Sequence, residues 1–264
     1  MNSSPACPVC DRLAKVFLGQ TGVCVLWRCE CGLVFADRAK WVDPYAASDY
    51  YDPAHQPIES YPLRPTATDR DRLSSVTRHV DRGRLLDYGG GLGRTALAAH
   101  QAGFEAIVLE DSHKAVAEGV LHHPDITWIR GKEMPEDIPD ASMDVITLFH
   151  VLEHLLDPLK VLQGIHRVLR PGGLVVIEVP NWGSHLRRIQ GLKWQYALDH
   201  HVNHFDQRSL TFTLRSAGFR SVGMEYRRTF AINEAQPWKE PLKRLLCLLG
   251  FGEILRGAFI KESA

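Results

Sequence analysis

Leu85-Leu86-Asp87-Tyr88-Gly89-Gly90-Gly91-Leu92-Gly93-Arg94 is the stretch whose reading decides the fold. A short apolar run ends in an acid, breaks into glycines and passes at once into the helix-forming Thr95-Ala96-Leu97-Ala98-Ala99-His100. Strand, glycine turn and helix in succession let backbone N–H groups and a helix N-terminus approach a nucleotide-like ligand with no Cβ in the way. Asp87, Gly89, Gly91 and Gly93 are spaced D-x-G-x-G-x-G, whereas the dinucleotide fingerprint needs its third glycine where this chain has Arg94. The spacing argues against a nicotinamide or flavin cofactor.

Downstream, a second apolar run, Ala106-Ile107-Val108-Leu109, ends in Glu110 and Asp111, where the second strand of a doubly wound sheet presents a carboxylate to ribose hydroxyls. The alternation then repeats. Lys114 to Leu121 reads as a helix, Ile126 to Ile129 as a strand, Met143 to Phe149 as a strongly apolar strand and Pro158 to Leu169 as a helix. Arg170-Pro171-Gly172-Gly173 stops that helix before the strand Leu174 to Pro180. Nearly continuous apolar strands alternating with helices predict an α/β fold with a parallel sheet buried on both faces. Upstream, Leu73, Val76 and Val80 mark one buried stripe of a helix over 66–80. Residues 37–65, rich in Pro, Asp and Tyr, read as an irregular linker whose Tyr50 and Tyr51 are candidates to cap the site.

Five of the six cysteines lie within the first 31 residues, and the N-terminus lacks a charged-then-apolar export pattern. That clustering reads as metal rather than disulfide. Cys7-x-x-Cys10 and Cys29-x-Cys31 form two thiolate pairs suited to a closed, tetrahedral structural zinc site in a ribbon-like module over residues 1–40. The second pair is one residue short of the usual spacing, so Cys24 is either a substitute ligand or a spectator on its strand. A closed site has no open coordination position and carries no catalysis.

Taken together, D-x-G-x-G-x-G, the pair Glu110-Asp111, Asp144-Val145-Ile146 through Phe149-His150-Val151-Leu152-Glu153-His154, and Leu169-Arg170-Pro171-Gly172-Gly173 resemble a class I S-adenosylmethionine-dependent methyltransferase. The branch it looks most like is the ubiquinone O-methyltransferase-like group, some of whose members carry an N-terminal zinc ribbon. The resemblance covers residues 81–220. It implies a Rossmann-like doubly wound, seven-stranded, mostly parallel sheet over 66–236, with a substrate lid around 181–204. It also implies S-adenosylmethionine as cofactor, S-adenosylhomocysteine as product and a small-molecule acceptor. Asp87, Tyr88, Gly89, Gly90, Gly91 and Gly93 then wrap the methionine part, Glu110 and Asp111 take the ribose, and Phe149 and His150 lie by the sulfonium. The family's acid after the glycine that follows strand three is replaced by Lys132, which leaves Glu133 or a backbone N–H for the polar adenine contacts and Met134 for the adenine face.

Methyl transfer needs alignment, desolvation and at most one base. His200, His201, His204 and His150 are the candidates, with His154 beside them, although in the family Glu153-His154 helps shape the helix start. A catalytic metal on His200, His201 and His204 with Asp199 fits the local spacing less well than the family's segment before the final strands. Trp182, Arg187, Trp194 and Tyr196 in the lid are candidates for holding an aromatic or anionic acceptor. Residues 237–264 read as a helical tail that packs, dimerises or touches a membrane surface. Lys plus Arg equals Asp plus Glu at 31 each, so no basic surplus points to nucleic acid. No apolar run is long enough to span a membrane, so the expectation is a cytoplasmic monomer or homodimer. The readings from other classes are a catalytically silent cofactor-binding adaptor and a nicotinamide-dependent oxidoreductase.

Overall fold

Apolar runs become strands here because both faces of the main sheet are covered. In the computed structural model, which describes residues 4–41, 51, 57–227 and 245–262, the N-terminal segment contributes β1 (Val16–Thr21), β2 (Cys24–Arg28) and β3 (Val34–Ala36). Then follow α1 (Ala67–Thr77), β4 (Gly83–Tyr88), α2 (Arg94–Gln101), β5 (Phe104–Glu110), α3 (His113–His122) and β6 (Thr127–Arg130). Next come β7 (Met143–Phe149), α4 (Pro158–Val168), β8 (Leu169–Pro180), α5 (His185–Gln190), β9 (Asn203–His204), α6 (Gln207–Ser216), β10 (Phe219–Arg227) and β11 (Ile254–Lys261). Local chemistry fixes the helix starts. Thr66 and Asp69 form a reciprocal capping box at α1, Ser112 caps α3, and Asp157 caps α4 ahead of Pro158 at its first turn.

The main sheet has seven strands in the order β10-β11-β8-β7-β4-β5-β6. β8, β7, β4, β5 and β6 run parallel, and β11 is antiparallel to both of its neighbours. The Rossmann-like, mostly parallel expectation therefore holds. Leu85, Leu86, Val145, Ile146, Val175 and Ile177 in the central strands are fully buried.

Two expectations about organisation change. The C-terminal tail is not helical where the chain is described beyond a short turn: Ile254–Lys261 is a sheet strand inserted between β8 and β10, so the main domain extends past residue 236. Leu255 and Phe259 are fully buried, and a packed antiparallel slot decides the conformation over a local helical pattern. Residues 242–244 of the basic apolar run lie outside the described residues, as does Tyr50. The ribbon, moreover, is not a separate bead. Its sheet is completed by β9 from the lid region, in the order β1-β2-β3-β9, and Val9, Trp27 and Phe35 share one core with Phe205 and Leu210.

Candidate functional site

The parallel strands β4, β5, β6 and β7 end on a cavity of about 1160 Å³. This is where an open α/β sheet binds ligands, beyond the carboxyl ends of its strands. Gly89 and Gly91 carry φ of 67° and 55°, the left-handed region that glycine enters without a Cβ penalty. A Cβ on Gly89 would lie 2.6 Å from Val151 Cγ2, and one on Gly91 would lie 2.8 Å from the Tyr51 hydroxyl. The turn is thus shaped as a cradle that side chains would fill. Asp87 is buried beneath it, accepts from Thr147 Oγ1 at 2.6 Å, and is pushed up to about 6 by burial. Gly93 plays a different part. It starts α2 with φ of 70°, and its Cα faces Trp128, 2.6 Å from where a Cβ would stand, so it packs the helix on β6 rather than lining the cavity.

Glu110 ends β5. Its carboxylate accepts from the N–H of Gly91 at 2.8 Å and of Ser112 at 2.9 Å, while burial raises its pKa. Asp111 is more exposed and pairs with Lys132 at 3.3 Å; Glu133 pairs with Lys160 at 3.0 Å, and the Tyr88 hydroxyl donates to the Lys132 carbonyl. Asp111, Lys132, Glu133 and Tyr88 all line the cavity. Met134 does not, because it packs against Gly164 of α4.

Phe149 and His150 close the end of β7, and His150 sits at a positive φ of 59°. Its Nδ1 lies 3.1 Å from Glu153 Oε1 and its Nε2 3.3 Å from Glu178 Oε1. Burial opposes its charge, yet the two carboxylates overcome that and hold its pKa up at about 9. Both ring nitrogens of His150 are thus engaged by carboxylates. Glu178 is itself the hub of a buried network: Arg72 donates to Oε1 at 2.8 Å and Arg256 Nε to Oε2 at 2.7 Å. These cations and His150 hold its carboxyl well below the ordinary range despite burial. Arg72 also lies over the Phe149 ring at 4.9 Å. The sequence reading missed Glu178, Arg72 and Arg256, although a lone acid inside Leu174–Val179 and a lone cation inside Ile254–Ile260 were available signals.

The histidine-rich segment divides. His200 and His201 line the cavity together with His154, Tyr196 and Leu198. His204 does not. It is buried against the Trp182 ring at 4.5 Å, and burial lowers its pKa to about 3. His201 is also held neutral by burial, at about 3. Asp199 is turned to the ribbon: its carboxylate accepts from Val23 N–H at 3.3 Å, and its carbonyl accepts from Trp41 Nε1 at 2.7 Å and from Cys24 Sγ at 3.1 Å. The set His200, His201, His204 and Asp199 is therefore not assembled. Of the lid side chains, Trp182 and Trp194 are buried in the junction with the ribbon and Arg187 stacks on Trp182 at 3.7 Å, leaving Tyr196 at the cavity.

Cys7, Cys10, Cys29 and Cys31 bring their sulfurs within 4.8 Å of one another, with Cys7 to Cys31 at 3.7 Å and Cys10 to Cys29 at 3.4 Å. Zinc–sulfur bonds of about 2.3 Å in a tetrahedron place sulfurs about 3.8 Å apart, so the four thiols fit that ion. Cys24, hydrogen-bonded to Asp199, is the spectator.

Comparison with known proteins agrees with this geometry. A family model described as a methyltransferase domain matches residues 59–222. A probable S-adenosylmethionine-dependent methyltransferase of Mycobacterium tuberculosis is 28% identical over 172 residues, 63% of this chain and 58% of that protein. The ubiquinone biosynthesis O-methyltransferase of Pseudomonas aeruginosa is 33% identical over 106 residues, 37% of this chain and 44% of that protein. The chain thus spans about half the length of these curated relatives. An S-adenosylmethionine-dependent methyltransferase structure from Mesorhizobium loti superposes with a TM-score of 0.58 at 19% identity, covering 74% of this chain and 98% of that one, which speaks to the fold. With more than half of its length matched by the family model, this chain belongs to the methyltransferase-domain family.

Proposed function

We propose that this chain transfers the methyl group of S-adenosylmethionine to an oxygen, or a carbon, of a small-molecule acceptor such as a sugar, a natural-product intermediate or a quinone precursor, and that the four clustered cysteines hold a structural zinc. The observation that carries this reading is one cavity lined both by a glycine cradle with a buried carboxylate and by a histidine-bearing wall. The cofactor supplies a methyl group on a sulfonium that departs as a neutral thioether. On this reading Glu110 accepts from ribose hydroxyls while keeping its bond to Gly91, and the turn at Gly89–Gly91 offers N–H groups to the methionine part. Phe149 and Arg72 wall off water beside the reacting centre. Tyr196, His200 and His201 face the acceptor.

The test is formation of S-adenosylhomocysteine from S-adenosylmethionine across a panel of hydroxylated sugars, phenols and carbon acids. Acceptor-dependent turnover supports the reading. Cofactor binding with no turnover on any class would favour the adaptor. Thermal stabilisation by a nicotinamide cofactor, with none by S-adenosylhomocysteine, would bring back the oxidoreductase.

A further inference from the structure

Three imidazoles converge on the cavity wall built by the turn Leu152–His154 and the segment that leads into β9. The rings of His154 and His200 are stacked 5.2 Å apart at an interplanar angle of 3°, and His201 stands edge-on to both at 4.7 and 4.8 Å. One nitrogen of each ring lies within 4.8 Å of one nitrogen of the other two. Tetrahedral zinc with bonds of about 2.0–2.1 Å holds nitrogens about 3.3 Å apart. Because the His154 and His200 planes are parallel, seating such an ion takes a turn of one of these two rings, with no nitrogen pair having to close by more than roughly 1.5 Å.

Two further observations point to a cation. The first is how the rings are held. His154 Nδ1 lies 3.1 Å from the His200 carbonyl and His201 Nδ1 2.9 Å from the Tyr196 carbonyl. A carbonyl can only accept, so Nδ1 carries the proton in both rings and Nε2 carries the lone pair. A backbone carbonyl on the far nitrogen is how proteins orient a histidine for a metal. The second is Glu153. It is 1% exposed, its Oε1 bonds His150, and its Oε2 is buried with no hydrogen-bond partner among the described residues. Its charge acts on both His154 and His201. A buried carboxylate oxygen without a donor is costly, and a cation held by the adjacent imidazoles would offset that cost.

We propose that His154, His200 and His201 bind one divalent transition-metal ion, with an open coordination position facing the cavity. Three imidazoles suit zinc, cobalt, nickel or copper, and three protein ligands with an open position are the arrangement of a reactive metal site, in contrast to the closed four-thiolate set of the ribbon. The role of the ion rests on the methyl-transfer reading. An acceptor hydroxyl bound at the open position gives up its proton to water more readily because the ion stabilises the resulting alkoxide. The alkoxide oxygen then bonds the methyl carbon as the carbon–sulfur bond breaks, and the electron pair stays on sulfur.

The test is a cobalt(II) titration of the purified chain followed by absorption. Cobalt in the cysteine cluster announces itself by a thiolate charge-transfer band, which an all-nitrogen site lacks. The expected result is one equivalent bound without that band, retained in Cys7→Ser and weakened at least tenfold in both His154→Gln and His201→Gln. No cobalt bound outside the thiolates, or unchanged affinity in both histidine variants, would overturn the site. S-adenosylhomocysteine binding by the same samples shows that the variants are folded and separates the two readings. Cofactor binding without cobalt binding sinks the metal site alone, whereas cobalt binding without cofactor binding sinks the methyl-transfer reading alone. Where the variants fail to fold, the wild-type protein decides: cobalt-shifted imidazole proton resonances establish histidine ligation, and their absence overturns it.

Discussion

His150 concentrates the electrostatics of the site in one side chain. Its folded pKa of about 9 stands above the ordinary 6.5, because Glu153 and Glu178 flank it closely enough to outweigh burial. A group raised in this way contributes stability that is fully present below pH 6.5 and is lost as pH rises through about 9. Thermal unfolding followed from pH 6.5 to 9.5 should show a declining Tm for the wild type and a flatter profile for His150→Gln. Equal slopes would mean that the flanking carboxylates do not hold the proton. His150 was visible in the sequence as a residue at the end of an apolar strand, but its charge state was not. That state depends on Glu178, brought alongside by the pairing of β7 with β8, and no local spacing encodes it.

Among the elements, β11 carries the most instructive difference between sequence and structure. The glycine turn, the strands β4 to β8 and the helices between them were legible because apolar runs, caps and breakers coincide there, as at Asp157-Pro158 before α4. β11 was not legible, since Ile254–Lys261 follows a basic apolar stretch with helical character and its partners lie far away in sequence. Phe259 on this strand is fully buried, so Phe259→Ala should destabilise the domain by about 3–5 kcal/mol in chemical denaturation. A loss below about 1 kcal/mol would contradict a central place for the strand in the sheet. β9 was equally illegible: two residues of the lid pair with β3 of the ribbon, an arrangement set by docking rather than by local propensity.

Across the whole molecule, the ribbon and the main domain share one hydrophobic core, and β9 directly follows the segment that carries His200 and His201. The ribbon thereby braces the cavity wall that carries His200 and His201. On the structural-zinc reading, Cys7→Ser should release about one ion per chain from the ribbon and lower stability by an amount on the order of several kcal/mol. The same substitution should raise KM for the acceptor while leaving S-adenosylhomocysteine affinity little changed, because the glycine turn and Glu110 belong to β4 and β5. A parallel loss of cofactor affinity would contradict that division of labour. Among the described residues no helix is long and apolar enough to cross a membrane. The central claim is that the cavity at the strand ends holds S-adenosylmethionine through the glycine cradle and Glu110. Its most direct test is calorimetric titration with S-adenosylhomocysteine, comparing the wild type with Glu110→Ala. Saturable one-to-one binding that weakens by about 1–3 kcal/mol in the variant is the predicted result. No binding by the folded wild type, or equal affinity in the two proteins, would contradict it.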